Sequence, residues 1–500
     1  MSPSAYVRKA FCFAVVAGSL LLSQVAAFDG SRYDNTAVYW GQNSHGAADS
    51  SDTADYQKTL SYYCQDDAID VIPVAFITTF FGTGGMPVLN LANTCNPTDN
   101  ATFSGTNLAN CQSLASDIEF CQSKGKVLTL SLGGAGGGVG FTDDSQGQAF
   151  ADTIWNLFLG GSSSTRPFGS AVLDGVDLDI EGGSATGYAA FVNQIRSHAN
   201  GASKTYYITA APQCPYPDAS LGAVLNAASF DAVYVQFYNN VCGLQNYDTA
   251  NDWDFGLWDY WATKVSPNKN VKIYVGAPAS STAAGRGYVD IDTLSSIATT
   301  QRKSFPSFGG VMLWDASQAY ANNRYDLAIK NTLTAAGGTG FTYPACSAPA
   351  FASGTGYSAG TQVTYQGYIW QAKWYSSSTP GATLSSDGDW IAVSACSGGG
   401  STTAPTTTSS STASSSTTTR TTSSTSSAPT ATATSGSCAG VAAWSSGTAY
   451  TGGAQVTYNG DLWTAKWWTQ GDTPGGSAGV WTDGGSCSSS KRARSRFFRL

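Results

Sequence analysis

Residues 174–181 read Asp174-Gly-Val-Asp177-Leu-Asp179-Ile-Glu181, with a carboxyl group at every second position from Asp177 onward. Side chains of a strand alternate between its two faces, so Asp177, Asp179 and Glu181 share one face. Val176, Leu178 and Ile180 between them argue against an acidic strand lying open to solvent. Ionised carboxylates stacked on a buried strand are costly, because each loses hydration and repels the next. A calcium cage fits poorly, since its ligands come from flexible loops with carbonyl help and not from consecutive inward strand positions. Coupled carboxyls push at least one pKa upward and so keep a proton available near neutral pH. Glu181, the outermost of the three, is the candidate general acid, with Asp179 and Asp177 behind it.

Such a row needs a scaffold that buries one strand face and opens at its end. Between residues 28 and 340 eight strand candidates are found, at 37–40, 71–78, 127–132, 175–180, 206–211, 232–236, 271–276 and 310–313. They are short, β-branched or aromatic and almost uncharged, as strands covered on both faces are. The gaps leave room for helices, for example 148–159 and 188–198. This alternation predicts an α/β fold of the (β/α)8 TIM barrel type, whose chemistry sits at the C-terminal ends of the strands. A doubly wound open sheet is the alternative, but the first strand lacks a Gly-rich phosphate turn.

The flanks of this region set the compartment. Arg8 and Lys9 precede an apolar run at 10–22 and then Val25-Ala26-Ala27, the layout of a secretory signal peptide over residues 1–27. That run is too short to span a bilayer. Residues 488–500 form a basic tail without the apolar segment of a GPI signal. The remainder, 28–490, carries 18 basic and 33 acidic residues, a charge of −15. Only 12% of the whole chain is charged, against ~25% in ordinary soluble proteins. So few cations exclude nucleic acid as a partner, whose affinity rests on neutralised phosphates. With 14 Trp and 25 Tyr, the composition suits a neutral ring-shaped ligand such as a sugar. Ten cysteines beyond the signal peptide predict five disulfides in a secreted, monomeric protein. With no CxxC and only two His, at 45 and 198, no metal site and no cofactor are expected. Asn100-Ala-Thr102 is a glycosylation sequon.

Beyond the barrel, 397–437 is a Ser/Thr-rich linker, with 24 Ser or Thr among residues 401–430. It cannot bury enough apolar surface to offset its ordering entropy, and such secreted tracts are O-glycosylated stalks. A repeat brackets it. Residues 351–375 and 444–468 share 14 identities in 25, including Trp370/Trp463 and Trp374/Trp467. The units at 346–396 and 438–487 read as small β modules, each stapled by one disulfide, Cys346–Cys396 and Cys438–Cys487. Their aromatics exceed the needs of so small a core. The adjacent pairs Trp374-Tyr375 and Trp467-Trp468 are therefore candidate binding platforms.

The acidic row, with Asp174 before it, resembles the signature of glycoside hydrolase family 18, the chitinases and their relatives. Ala37-Val-Tyr-Trp-Gly-Gln-Asn43, Leu130-Ser-Leu-Gly-Gly-Ala-Gly136, Val235-Gln-Phe-Tyr-Asn-Asn240 and Gly309-Gly-Val-Met-Leu-Trp314 are similar to the plant and fungal class III type. The two repeats resemble family 5 carbohydrate-binding modules, through Ala-Lys-Trp-Tyr and Ala-Lys-Trp-Trp. The resemblance implies a retaining, substrate-assisted reaction, an exception to the two-carboxylate scheme. In it Glu181 is the acid, Asp179 orients the substrate's acetamido N–H, and Asp177 shares a proton with Asp179. Tyr238 binds the acetamido oxygen, and Trp314 floors the groove on which the reacting sugar stacks. Tyr39, Phe76, Gln236 and Asn239, at other strand ends, are expected to line the groove. Gly133 and Gly134 are expected to let substrate or Tyr238 come close. The resemblance also implies Cys64–Cys111 and Cys214–Cys242 disulfides, which leaves Cys95 with Cys121.

The implied function is a secreted, extracellular endochitinase acting on chitin and N-acetylglucosamine oligosaccharides, with cell-wall association open and no membrane partner after signal cleavage. Only residues 277–309 separate the last two strands, too few for the extra domain that walls the cleft in some relatives, so an open groove is expected. The insertion at 80–112 either extends that groove or decorates it. Two other functions compete, a catalytically silent chitin-binding lectin and an endo-β-N-acetylglucosaminidase acting on N-glycans. A lectin is expected to lack Glu181, Asp179 or Tyr238, and all three are present. The two modules for insoluble polymer count against the N-glycan enzyme.

Overall fold

The computed structural model describes residues 28–136, 139–397 and 438–487, apart from 439–440, 447, 451–453, 466–468 and 477–479 within the last stretch. The signal-peptide, linker and basic-tail assignments, and the pair Trp467-Trp468, lie outside the described residues. The chain divides into two compact units, one up to Ala404 and one from Pro405.

The first unit is built on eight parallel strands: β1 (Asn35–Val38), β2 (Val71–Thr79), β3 (Val127–Gly133), β4 (Gly175–Asp179), β5 (Tyr207–Ala210), β6 (Ala232–Gln236), β7 (Lys272–Pro278) and β8 (Phe308–Trp314). Each pairs with the next, and β1 pairs with both β2 and β8, so the sheet closes into a barrel. All eight strand candidates lie on these strands, with ends shifted by a few residues. The main helices behind them are α1 (Ala115–Ser123), α2 (Asp144–Phe158), α3 (Tyr188–Ala199), α4 (Gly222–Ala227), α5 (Phe255–Tyr260), α6 (Ile291–Ser304) and α7 (Tyr325–Ala336). Helix α2 starts where Asp143 accepts the Gln146 amide at 2.9 Å, satisfying an otherwise orphaned donor. It buries Gly147, Phe150, Ala151, Ile154, Leu157 and Phe158, one stripe of a 3.6-residue period, against the barrel wall. Asp290 caps α6 in the same way, accepting from the Thr293 amide at 2.8 Å.

Two cores result. A large one fills the space between strands and helices, while a small one inside the barrel includes Ala37, Val71, Tyr234, Tyr274 and Met312. The inner core closes the bottom of the barrel, so the acidic face of β4 has only one way out, toward the strands' C-terminal ends.

The disulfides correct the sequence reading at one place. Cys64 pairs with Cys121 and Cys95 with Cys111, in place of the expected Cys64–Cys111 and Cys95–Cys121; Cys214–Cys242 forms as expected. The reason is geometric. Cys121 faces inward on α1, which packs beside the short helix Leu60–Tyr63 that leads to Cys64, and the two Cα atoms lie 5.3 Å apart. Cys95 and Cys111 instead close the insertion on itself. The insertion carries a short strand, Val88–Leu89, antiparallel to the end of β2.

The first module is a three-stranded antiparallel sheet of β9 (Gln362–Tyr365), β10 (Tyr368–Ala372) and β11 (Trp390–Ala395), closed by Cys346–Cys396. In the second unit, β12 (Gln455–Tyr458), β13 (Asp461–Ala465) and β14 (Trp481–Ser486) repeat that sheet, closed by Cys438–Cys487. A short pairing of Ala449–Tyr450 with Thr469–Gln470 lies beside it. No helix among the described residues is long and apolar enough to cross a membrane.

Candidate active site

Asp177 lies deepest on β4, fully buried, and three hydroxyls converge on it, two from the neighbouring strands and one from across the barrel. Tyr39, just past β1, donates to its Oδ2 at 2.7 Å, as does Ser131 of β3 at 2.7 Å. Thr209 of β5 donates to Oδ1 at 2.6 Å. Burial raises the Asp177 pKa, and these donors pull against that rise.

Asp179 sits one step up the same face and accepts from Gln236 Nε2 at 2.9 Å. Burial, then the charge of Glu181 and that of Asp177, push its pKa well above the carboxylate range. Glu181 follows β4, partly exposed at the mouth. Its pKa is also raised, chiefly by burial and further by the charge of Asp218. Tyr238 is buried close by. Desolvation and the three carboxyl groups hold its hydroxyl far above the ordinary phenol value, so it stays a proton-bearing donor.

These groups open into a groove of about 430 Å³. Asp179, Glu181, Gln236, Tyr238, Asn239, Phe76 and Trp314 all line it. Trp314 at the end of β8 stacks on Phe76 with ring centroids 5.8 Å apart and planes 16° from parallel. The pair forms an apolar floor beside the carboxyl row. Asn239 takes a left-handed backbone, φ 58°, and its amide donates to the Arg286 carbonyl at 3.1 Å.

One expectation needs correction and one needs narrowing. Tyr39 does not line the groove; it is 1% exposed and spends its hydroxyl on Asp177 beneath the floor. Gly133 and Gly134 do border the groove, but they do not make room for Tyr238. A Cβ on Gly133 would meet the Asp179 carbonyl oxygen at 2.2 Å, and one on Gly134 the Phe76 ring at 2.9 Å. Their positive φ values, 111° and 82°, add a second reason for glycine. The glycine that admits Tyr238 is Gly287, whose Cβ would lie 2.6 Å from Tyr238 Cβ.

Sequence reasoning missed Ser131 and Thr209, whose small hydroxyls on strands look like ordinary strand residues. It missed Gln42, which lines the groove and donates to the Ala75 and Asn90 carbonyls, tying the insertion to the rim. Asp218 was also missed. It accepts from the amides of Gln213, Ser220 and Leu221 after β5, and its position at a strand's C-terminal end was the available signal.

Away from the barrel mouth, Trp374 and Tyr375 are 44% and 71% exposed. Both are outward because they lie in a bend past the end of β10, where strand alternation no longer applies. Asn100 is exposed on the insertion, its side-chain oxygen accepting from the Asn96 amide at 3.0 Å.

The profile of Glycosyl hydrolases family 18 matches residues 35–305, more than half of the chain, and that of Carbohydrate-binding module family 5/12 matches 443–482. "Chitinase 2" of Rhizopus oligosporus is 47% identical over 333 residues, 67% of this chain and 58% of that protein. "Endochitinase" of Saccharomyces cerevisiae is 44% identical over 327 residues, 64% of this chain and 54% of that one. "Class III chitinase" of Arthroderma benhamiae is 42% identical over 326 residues, covering 63% of this chain and 93% of that one. The chain thus spans little more than half the length of several curated relatives it matches. Among solved structures, the ICChI chitinase from Ipomoea carnea is 33% identical, with a TM-score of 0.50 over 60% of this chain and 99% of that one. The barrel, its carboxyl row and the matched profile agree: the chain belongs to family 18 of the glycosyl hydrolases.

Proposed function

We propose that the protein is a secreted endochitinase that cleaves β-1,4 linkages between N-acetylglucosamine units with retention of configuration. The observation that carries this reading is the graded burial of the β4 row. Glu181 alone of the three reaches the mouth of the groove, and its raised pKa favours the protonated form that a general acid needs. Asp179 is 4% exposed and tied to Gln236, so it is poorly placed to attack an anomeric carbon itself. The nucleophile is then the substrate's own acetamido oxygen.

In the first step Glu181 gives its proton to the glycosidic oxygen, and the leaving sugar departs as an alcohol. The acetamido carbonyl oxygen bonds to the anomeric carbon and forms an oxazolinium ion. Asp179 holds the acetamido N–H and balances the positive charge, and it shares a proton with Asp177. Tyr238 donates to the acetamido oxygen, while the reacting sugar stacks on Trp314. In the second step the Glu181 carboxylate takes a proton from water, whose oxygen opens the oxazolinium ring. Both inversions together leave a β-anomer and restore Glu181 as an acid.

The open groove supports internal cleavage, because nothing in the chain between β7 and β8 adds a wall across its end. Incubation with a chitin hexamer, followed by NMR of product lengths and anomers, tests the reading. Internal cuts with β-anomer first are expected. Tight binding without cleavage would leave a lectin, and initial α-anomer would overturn the acetamido mechanism.

A further inference from the structure

The first module is joined to the barrel by a shared core. Tyr368, Trp370 and Ala392 belong to the same buried cluster as Phe255 and Trp258 of α5, whereas the second module has a separate cluster around Val456 and Trp481. Along the contact, a Cβ on Gly256 would meet the Ala392 carbonyl oxygen at 1.9 Å, so helix and strand backbones touch. The Tyr260 ring packs edge-on against Trp370 at 5.1 Å. Two buried carboxyl groups accept hydrogen bonds across the contact. Tyr368 donates to Asp259 Oδ2 at 2.7 Å, and Ser386 Oγ donates to Asp254 Oδ2 at 2.5 Å.

The repeats differ at this face and not in their sheets. In matching register, Ile391 and Ala392 of β11 stand where β14 has Thr482 and Asp483, and Tyr368 stands where β13 has Asp461. The first module has an apolar docking strand; the second has a polar one suited to water.

The module's exposed rings also have a fixed place. Helix α5 begins at Phe255, after the loop that leaves β6 past Gln236 and Tyr238, and the Phe255 ring packs between Phe237, just past the end of β6, and Phe308, at the start of β8. In that loop, whose first residues Tyr238 and Asn239 line the groove, Asn251 donates to the Lys373 carbonyl at 3.2 Å, which ties the residue before Trp374 and Tyr375 to the groove's own loop. Both rings are held. Trp374 Nε1 donates to Asp389 Oδ1 at 2.7 Å, and the Tyr375 ring lies over Gly356, where a Cβ would meet its hydroxyl at 2.1 Å. We propose that the first module is a fixed extension of the catalytic rim, on which Trp374 and Tyr375 hold a long chitin chain in register with the groove. This inference rests on the chitinase reading.

The test uses the full chain with Trp467→Ala and Trp468→Ala throughout, so that the second pair does not mask the first. The readout is the ratio of kcat/KM on glycol chitin to that on the hexamer. Trp374→Ala with Tyr375→Ala is expected to lower this ratio about tenfold, as when an effective local concentration is lost. Ile391→Thr with Ala392→Asp, which copies the second module's strand, is expected to lower it as much while retention on chitin beads persists, because the rings remain. A parental ratio after undocking reduces the module to a tether and overturns the proposal. A parental ratio without the two rings overturns it as well, and this variant decides alone if the undocking substitutions unfold the chain. Absence of hexamer cleavage in the parent instead defeats the chitinase reading.

Discussion

Gln236 donates through one nitrogen both to Asp179 Oδ1 and to the Ala211 carbonyl, each at 2.9 Å. The second bond anchors the amide to the turn after β5, so the first one fixes the rotamer of Asp179 beneath the groove. Replacing Gln236 by Leu keeps the volume and removes this anchor. Because a hydrogen bond to a charged group contributes roughly 1.5–3 kcal/mol, kcat/KM on chitin oligomers is expected to fall about 10- to 100-fold, measured by steady-state kinetics.

Glu181→Gln removes the proposed proton donor and keeps the shape of the mouth. Turnover is expected to fall by about 10²–10⁴, the range of general acid catalysis, while calorimetry still records oligomer binding. Turnover at the parental rate would remove Glu181 from the mechanism.

Asp218 raises the Glu181 pKa through its charge. In the proposed mechanism Glu181 is competent only while protonated, so activity is expected to fall as pH rises through its pKa. Asp218→Asn retains an oxygen for the Ser220 and Leu221 amides, gives up the acceptor of the Gln213 amide and removes the charge. The basic limb of the kcat/KM profile is expected to move to lower pH, and a limb that stays in place would show the charge to be ineffective.

Gly134 has room for neither a side chain nor an ordinary backbone. Gly134→Ala is expected to push Phe76 off Trp314 and to cost about 1–3 kcal/mol through overpacking and strain. The checks are a lower melting temperature and a raised KM for oligomers.

At the junction of barrel and first module, burial raises Asp254 to about 7. A carboxyl whose folded pKa exceeds its unfolded value favours the fold at low pH. That contribution is complete below about 4, declines as pH rises toward about 7, and then levels off. Asp254→Asn removes the dependence. The melting temperature of the Asn variant relative to the parent is expected to be higher at pH 8 than at pH 5. Equal differences at both values would refute an ionising Asp254.

The carboxyl row was legible because its cause is local. A strand places every second side chain on one face, so the spacing of Asp177, Asp179 and Glu181 states their shared orientation without any knowledge of partners. The strands of the barrel were legible for the same reason, as uncharged β-branched runs at regular intervals. Repeats and linker declare themselves by composition and self-similarity. What depends on contacts between distant segments was not legible. Cys64 meets Cys121 because α1 packs beside the helix before Cys64, and no spacing rule records that docking. Tyr39 at a strand end could equally face the groove or Asp177, and only the closed barrel directs it inward. Gly133 and Gly134 announce a close approach, but the backbone of Asp179 and the ring of Phe76 are what approach. The two modules share one sequence pattern, and their differences at Tyr368, Ile391 and Ala392 acquire a meaning only once the docked face is known. The first becomes part of the barrel because Gly256 lets α5 touch β11, a pairing of small residues more than a hundred positions apart.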